Sequence, residues 1–353
     1  MYYPSETQVT PLTRIYRERV LPIPGQVLVN VGDPVDPTQV VARTNLLGDF
    51  HIVPAARLLG IPTSQLGRHL RVRLGDEVRR GQTIAALSGP LGRSVKSPLN
   101  GVVTASGSGR ILIEAQPTRF ELRAYIDGTV SDVLRNYGVT IETMGAIIQG
   151  VWGAGRESFG VLKCMVKSPD QPLRARSIDS SCHGTILIGG TKLNEAVLER
   201  AQELQVRGIV TGGLAPEMLP LMKGVLFPVV VTEGIGEVPM SEPIFRLLAT
   251  NEGREASISG RVRPRGGITR PEIIIPLPSG STPPTQAQVR SPLEVGMQVR
   301  VVRAPLIGAV GTVVALPTHA HRIETGARVR GAEVDLNQAE PVFVPLANLE
   351  VLR

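Results

Sequence analysis

Cysteine is almost absent: Cys164 and Cys182 are the only two in 353 residues. Two thiols make neither a disulfide framework nor a four-thiolate zinc site. Aromatic residues are equally sparse at 3%, so the cores must be packed with Val, Ile, Leu and Ala. No apolar run reaches 18 residues, which excludes a transmembrane helix. The stretch MYYPSETQVTPLTRIYRERV has no charged segment followed by an apolar one. No secretory signal is read there, and a cytoplasmic location is expected. Neither the P-loop spacing nor GxGxxG occurs, so no nucleotide motif is present. No base, nucleophile and metal ligands fall into a recognisable set. The expectation is a non-enzymatic protein without a cofactor, a metal or a membrane.

Glycine, proline and arginine are what the chain does have. The 38 Gly and 29 Pro fall short of the ~25–30% that marks low complexity, and indicate many tight turns instead. Arginine outnumbers lysine by 33 to 5 and the net charge is +7. That bias fits phosphate contacts, a GC-rich genome or a warm habitat alike. The length predicts two or three domains.

The segment Val27 to Ala42 matches Leu70 to Ala85 at a constant offset of 43, including Gly32-Asp33 with Gly75-Asp76 and Val35 with Val78. Alternation of period two on both sides of the Gly-Asp turn predicts a strand, a tight turn and a second strand. Further on, KSPLNGVVTASGSGRILIEA predicts a turn at Ser97-Pro98, then strands at Gly101–Ala105 and Ile111–Ala115. The order "GDxVxxGQxIA … SPxxGVV" over residues 19–115 resembles the biotinyl/lipoyl, or barrel-sandwich hybrid, family. In carriers of that family a modified lysine sits about seven residues before the "SP". Here that position is Pro90, so the resemblance implies the fold without the prosthetic group. Lys96 lies at the wrong point of the pattern and reads as a solvated lysine. Short β-like runs continue to residue 176, and Trp152 reads as a core residue or a ligand stacker.

From about Ser180 the period changes. TILIGG, GIVTGG and FPVVVTEG are continuously apolar strands, separated by a helical stretch that Asn194 would cap; a second helix, with Ser241 as cap, follows. This predicts a parallel sheet covered on both faces. The glycine-ended strands have two readings. One is a small anion pocket of Gly189, Gly190, Thr191, Lys192, Thr211, Gly212, Gly213, Thr232 and Glu233. The other is a set of chain-turning glycines. The run "GIVTGGLAPEML" followed by "PVVVT" resembles the DRTGG-type regulatory domain, which implies ligand sensing or oligomerisation. Arg254, Arg261, Arg263, Arg265 and Arg270 form a basic run that is either a polyanion contact or a solvated face.

Residues 276–291 are rich in Pro, Ser, Thr and Gln and read as a linker. Beyond it, LEVGMQVRVVRAPLIGAVGTVVAL resembles the KOW motif, on Gly296, Val299, Val301, the Ala304-Pro305-Leu306 turn, Gly308, Gly311 and Val313. The resemblance implies an SH3-like barrel of the kind found in ribosomal proteins and NusG-type elongation factors, where it docks on RNA, ribosomal proteins or polymerase. Its contact loop would hold Arg303, Pro305, Leu306, Ile307, Gly308 and Val310. Residues 292–353 are electrically neutral, so a protein partner suits the module as well as RNA does. His319, His321 and Cys182-His183 lack further ligands for a metal.

The expected fold class is therefore multidomain, α/β and β: a tail (1–18), a β-rich barrel-sandwich-like domain (19–180), a small parallel α/β domain (181–275), the linker, and a C-terminal SH3-like β-barrel (292–353). The expected function is an adaptor docking on RNA, a ribosome or transcription machinery. A ligand-sensing protein that binds a small anion is the alternative.

Overall fold

The computed structural model describes residues 5–88, 92–262, 270–277, 293–303, 305–306, 308–336 and 340–352. It is β-rich, with several sheets and few helices. Among the described residues no helix is long and apolar enough to cross a membrane.

The 43-residue repeat is a repeat of hydrogen bonds. Leu28 N–H donates to Val41 O and Arg71 N–H to Ile84 O, each at 2.9 Å. The Asp33 carboxylate accepts from Asn30 N–H and the Asp76 carboxylate from Arg73 N–H, each at 2.7 Å. Gly32 and Gly75 turn the chain at φ +92° and +88°, a region glycine enters without steric cost. Their amides donate to Val130 O and Val103 O, both at 2.8 Å.

Those acceptors belong to matching hairpins. Pro34–Val35 pairs with Gly128–Leu134, which folds back on Gly138–Gln149. Glu77–Val78 pairs with Gly101–Gly107, which folds back on Arg110–Ala115. Each return strand pairs with an earlier one, Val9–Val20 in the first case and Phe50–Val53 in the second. The chain thus holds two copies of one unit, one nested in the other. The first is residues 9–46 with 118–149. The second, residues 50–115, is inserted between Val40–Leu46 and Thr118–Arg123, which pair with each other. Equivalent residues fill equivalent cores: Val35, Val41, Ala42, Val130 and Ile141 in one, and Val78, Ile84, Ala85, Val103 and Ile113 in the other. Full burial of each Val or Ile side chain contributes ~1.5–3 kcal/mol.

Residues 9–20, expected as a tail to residue 18, are thus a strand of the first copy. The expected boundary at 180/181 falls inside one eleven-stranded sheet. That sheet runs from Trp152–Ala154 through the parallel strands Val229–Ile235, Gly208–Leu214, Thr185–Ile188 and Glu157–Cys164. It continues through Glu255–Ser259 and Glu272–Pro276 into the hairpins of the first copy. The parallel strands are apolar on both sides because both faces are covered. Leu187, Ile209, Val229 and Val231 pack under the helix Glu195–Glu203. Ile186, Ile188, Val210 and Val230 pack under the helix Glu242–Thr250. Asn194 caps the first helix, its side-chain oxygen accepting from Val197 N–H at 3.0 Å. Ser241 precedes the second helix, but its hydroxyl makes no cap bond.

The C-terminal strands form a six-stranded sheet. Its order is Ser5–Thr7, Leu349–Leu352, Gln298–Val301, Val310–Ala315, Gly331–Asp335, Val342–Pro345. The chain's first described strand therefore lies parallel to its last, Glu6 beside Val351.

The second copy gives a paired test of backbone constraint. A Cβ on Gly101 would stand 2.1 Å from Glu114 O, whereas one on Gly75 meets nothing within 4 Å. Gly75→Ala should cost about 1–2 kcal/mol, the price of left-handed backbone alone. Gly101→Ala should cost about 3 kcal/mol through the backbone clash. Urea unfolding midpoints measure both, and equal losses would contradict the register assigned here.

Candidate functional site

The glycine-ended strands converge as expected, but chain fills the space between them. A Cβ on Gly190 would lie 2.3 Å from Gln171 O, on Gly212 2.3 Å from Met240 N, and on Gly213 2.1 Å from Gly236 O. The amides are already used. Gly189 N–H donates to Val210 O, Gly212 N–H to Gly190 O and Gly213 N–H to Thr191 O, at 2.7–2.8 Å; Thr191 N–H donates to Gln171 O at 3.3 Å. Thr211 and Thr232 are buried, and their hydroxyls donate to Gly213 O and Thr211 O. Lys192 pairs at the surface with Glu237. The residues of the expected anion pocket are brought together as a packed junction, with the carboxylate of Glu233 inside it.

Glu233 opens onto the second feature. One of its oxygens accepts from Ser241 N–H at 3.0 Å, and the other faces Arg300 of the C-terminal sheet at 2.9 Å. The Arg300 guanidinium also donates to Thr232 O at 2.7 Å and to Glu350 at 2.5 Å. Glu350 is held from its other oxygen by Arg270 at 2.6 Å. Arg300 is 1% exposed, Glu350 3% and Glu233 4%. Burial alone would lower the Arg300 pKa, but the Glu233 and Glu350 carboxylates outweigh it and hold the pKa above its ordinary value. Two cations and two anions thus form a neutral cluster linking the parallel sheet, the segment before Glu272–Pro276, and the C-terminal sheet.

The expected KOW contact loop divides at this junction. Arg303 and Pro305 are exposed, and Leu306 packs partly against the sheet's own core. Gly308 (φ +84°) turns the chain beside the parallel sheet, where a Cβ would sit 3.0 Å from Val238 Cγ1. Val310 begins the next strand. Ile307 and Ala304 lie outside the described residues, as do Pro90, Arg263, Arg265 and most of the linker.

The described members of the basic run are dispersed. Arg270 is committed to Glu350, and Arg261 lies 3.3 Å from Glu157. Arg254 lines a surface cleft of about 800 Å³ with Thr129, Ser131, Glu142, Phe159 and Glu255. Asp127 lies there too, so acids outnumber Arg254 on that wall.

Lys96 is exposed beside its turn. Trp152 packs partly against the core under the helix Glu195–Glu203. His321 stacks on Phe343 with ring centroids 4.6 Å apart. Among the described residues no three His, Cys, Asp or Glu side chains gather at metal-binding spacing. Cys182 is buried. Burial, helped by Glu252, pushes the Cys164 thiol up to about 11, so at neutral pH it is protonated and a poor nucleophile.

Comparison with protein-family models and with curated proteins finds no match for this chain.

Sequence reading missed the Arg300 cluster because strand alternation marks its members as solvent-facing. Val299 and Val301 point into the C-terminal core, so Arg300 between them points out; Glu350 does the same between Leu349 and Val351. They are direct cross-strand partners. Only the covering of that face by another sheet buries them. A readable signal for the second half of the repeat did exist: YIDGTV at 125–130 follows PLNGVV at 98–103 with an offset of 27.

Arg300→Ala should destabilise the protein by about 3–5 kcal/mol, because it strands two buried carboxylates. The double variant R300M/E233Q, which removes one charge of each sign and leaves Arg270 paired with Glu350, should lose less. Chemical denaturation of both variants measures the difference. Separately, Cys164 should alkylate with iodoacetamide at pH 7.5 at least tenfold more slowly than the free amino acid, because its thiolate fraction is lower. Mass spectrometry over time measures that rate.

Proposed function

We propose that the protein is a non-enzymatic adaptor that docks a ribonucleoprotein or transcription assembly through its C-terminal module. The observation that carries this reading is the strand order of that module. The last strand lies beside the first, a meander follows, and the one-turn 3-10 helix Leu346–Asn348 leads into the last strand. This order fits an SH3-like barrel of the KOW kind. The buried cluster at Arg300 seats the module on the parallel sheet with Arg303 and Pro305 of its loop exposed. Those two residues are the contact this reading uses.

The nested copies fit a pair of barrel-sandwich units serving as scaffold. In the second copy the hairpin between Thr83–Ala86 and Ser94–Lys96 corresponds to the tip that bears the modified lysine in carriers. In the first copy the corresponding tip is where the second copy is inserted. The filled junction at the glycine-ended strands favours no ligand-sensing alternative.

The full-length protein should co-sediment with ribosomal or RNA-polymerase fractions of a native lysate. Arg303→Glu should reduce the bound fraction at least fivefold with no change in thermal unfolding. An RNase-treated lysate separates RNA-borne from protein-borne contact. Unchanged co-sedimentation of the variant, or none by the parent protein, would overturn the reading, as would turnover of a defined substrate.

A further inference from the structure

The two nested copies share a fold but not a charge. The first, residues 9–46 with 118–149, has seven basic and seven acidic residues. The second, residues 50–115, has nine basic against three acidic, a net of +6 in a chain whose total is +7. The fold does not require this charge. At the positions of Arg71, Arg73, Arg79 and Arg80 the first copy carries Leu28, Asn30, Asp36 and Pro37, yet it makes the same Gly-Asp turn with the same hydrogen bonds around it.

Among the described residues, none of the nine basic side chains forms an ion pair. Arg71, Arg73, Arg79, Arg80, Arg93 and Lys96 are all exposed. They share one ribbon. Leu70 bridges Ala85 and Arg71 N–H donates to Ile84 O, which sets that segment beside Thr83–Ala86. Lys96 stands opposite Thr83 on the next strand. The turn carrying Arg79 and Arg80 is tied to the same hairpin, Gly81 N–H donating to Ser97 O.

We propose that this ribbon of the inserted copy is a docking surface for the phosphate backbone of a double-helical nucleic acid. Unpaired guanidinium forks match phosphate oxygens two at a time. Phe50 is the only aromatic residue in 50–115, so the surface has no platform for stacking unpaired bases. Backbone contact to a duplex, without base reading, is the mode that remains. Exposed apolar tips do not redirect the assignment to a membrane. Leu74 and Phe50 are exposed, but so are their counterparts Val31 and Tyr16 in the neutral copy, so these two apolar residues come with the scaffold. The proposal does not rest on the C-terminal loop.

The test uses the full-length protein and fluorescein-labelled 20-base-pair RNA and DNA duplexes, followed by anisotropy between 50 and 200 mM NaCl. Binding should weaken with salt along a log–log slope of about −4.5 to −5.5, from five or six phosphate contacts. R79E/R80E should weaken binding at least tenfold, and R79Q/R80Q should flatten the slope by about 2 with an unchanged melting temperature. Arg135→Glu, on the neutral copy, should stay within twofold of the parent. Three results would each overturn the proposal: no duplex binding at 50 mM salt, an equal loss from Arg135→Glu, or binding to phosphatidylserine vesicles without binding to duplex.

Discussion

A guanidinium withdrawn from water must find its hydrogen bonds in protein, and Arg300 finds them on two separate sheets. Glu233 and the Thr232 carbonyl lie at the end of a parallel strand, while Glu350 is its own cross-strand neighbour. Desolvating such a group is expensive, and the attraction to two carboxylates offsets that cost only while every partner stays in place. The cluster is therefore better understood as a fixing device than as a source of net stability. An apolar contact tolerates sliding by an ångström or two. A fork held between two carboxylates and a carbonyl does not. The C-terminal sheet is set at one angle on the parallel sheet, and the exposed end of its loop inherits that angle.

The same device recurs where the first copy meets the large sheet. Arg17 grips Glu272 through two of its nitrogens, and Arg19 grips Glu157 at 2.8 and 3.0 Å. Tyr125 lies between them with the Arg19 guanidinium 5.3 Å above its ring. Its backbone is left-handed at φ +74°, strained for a bulky residue. Ser257 helps to hold that conformation by donating to the Tyr125 carbonyl at 2.5 Å. Burial, with the Glu272 and Glu157 carboxylates, raises its phenol pKa well above the ordinary value, so the ring stays neutral among the charges. Each of these pairs joins residues more than a hundred positions apart in the chain.

That distance explains what the sequence could and could not disclose. The Gly-Asp turns and the continuously apolar strands are local, and each was legible: the turns at 32 and 75, the strands at 185, 208 and 229, and the Asn194 cap; but the segments after the two turns, read as second arms of hairpins, pair instead with Gly128–Leu134 and Gly101–Gly107. What lay beyond reach was the use of each arginine. Arg261 and Arg270 sit in a basic run and read as a polyanion contact or a solvated face, yet Glu157 and Glu350 claim them. Arg71 and Arg79 look no different by composition and have no such claimant among the described residues. The difference lies in whether another sheet covers the strand, which no window of neighbouring residues contains. The nesting was hidden for a similar reason. The second half of the first copy stands at an offset of 27 where its first half stands at 43, so no single period spans it.

Insertion of one copy into the other also has a local physical condition. A domain can interrupt a hairpin only if its two ends leave and return side by side. Here Leu46 pairs with Thr118, so the hairpin stays closed at its base while the 71 residues between them fold separately. The crossing is tight enough to constrain the residue type. At Gly48 a Cβ would lie 1.8 Å from Ala115 O, and Ala115 N–H donates to Asp49 O at 3.0 Å. The outgoing and returning chains are thus in backbone contact just outside the host hairpin, leaving little slack between the copies. A tether this short carries the orientation of the host into the guest. The basic ribbon is held by the neutral copy, the neutral copy by the paired arginines at Glu157 and Glu272, and the C-terminal sheet by Arg300 on the far part of the same large sheet. Two outward-facing surfaces are thereby kept in one frame by ion pairs largely withdrawn from solvent.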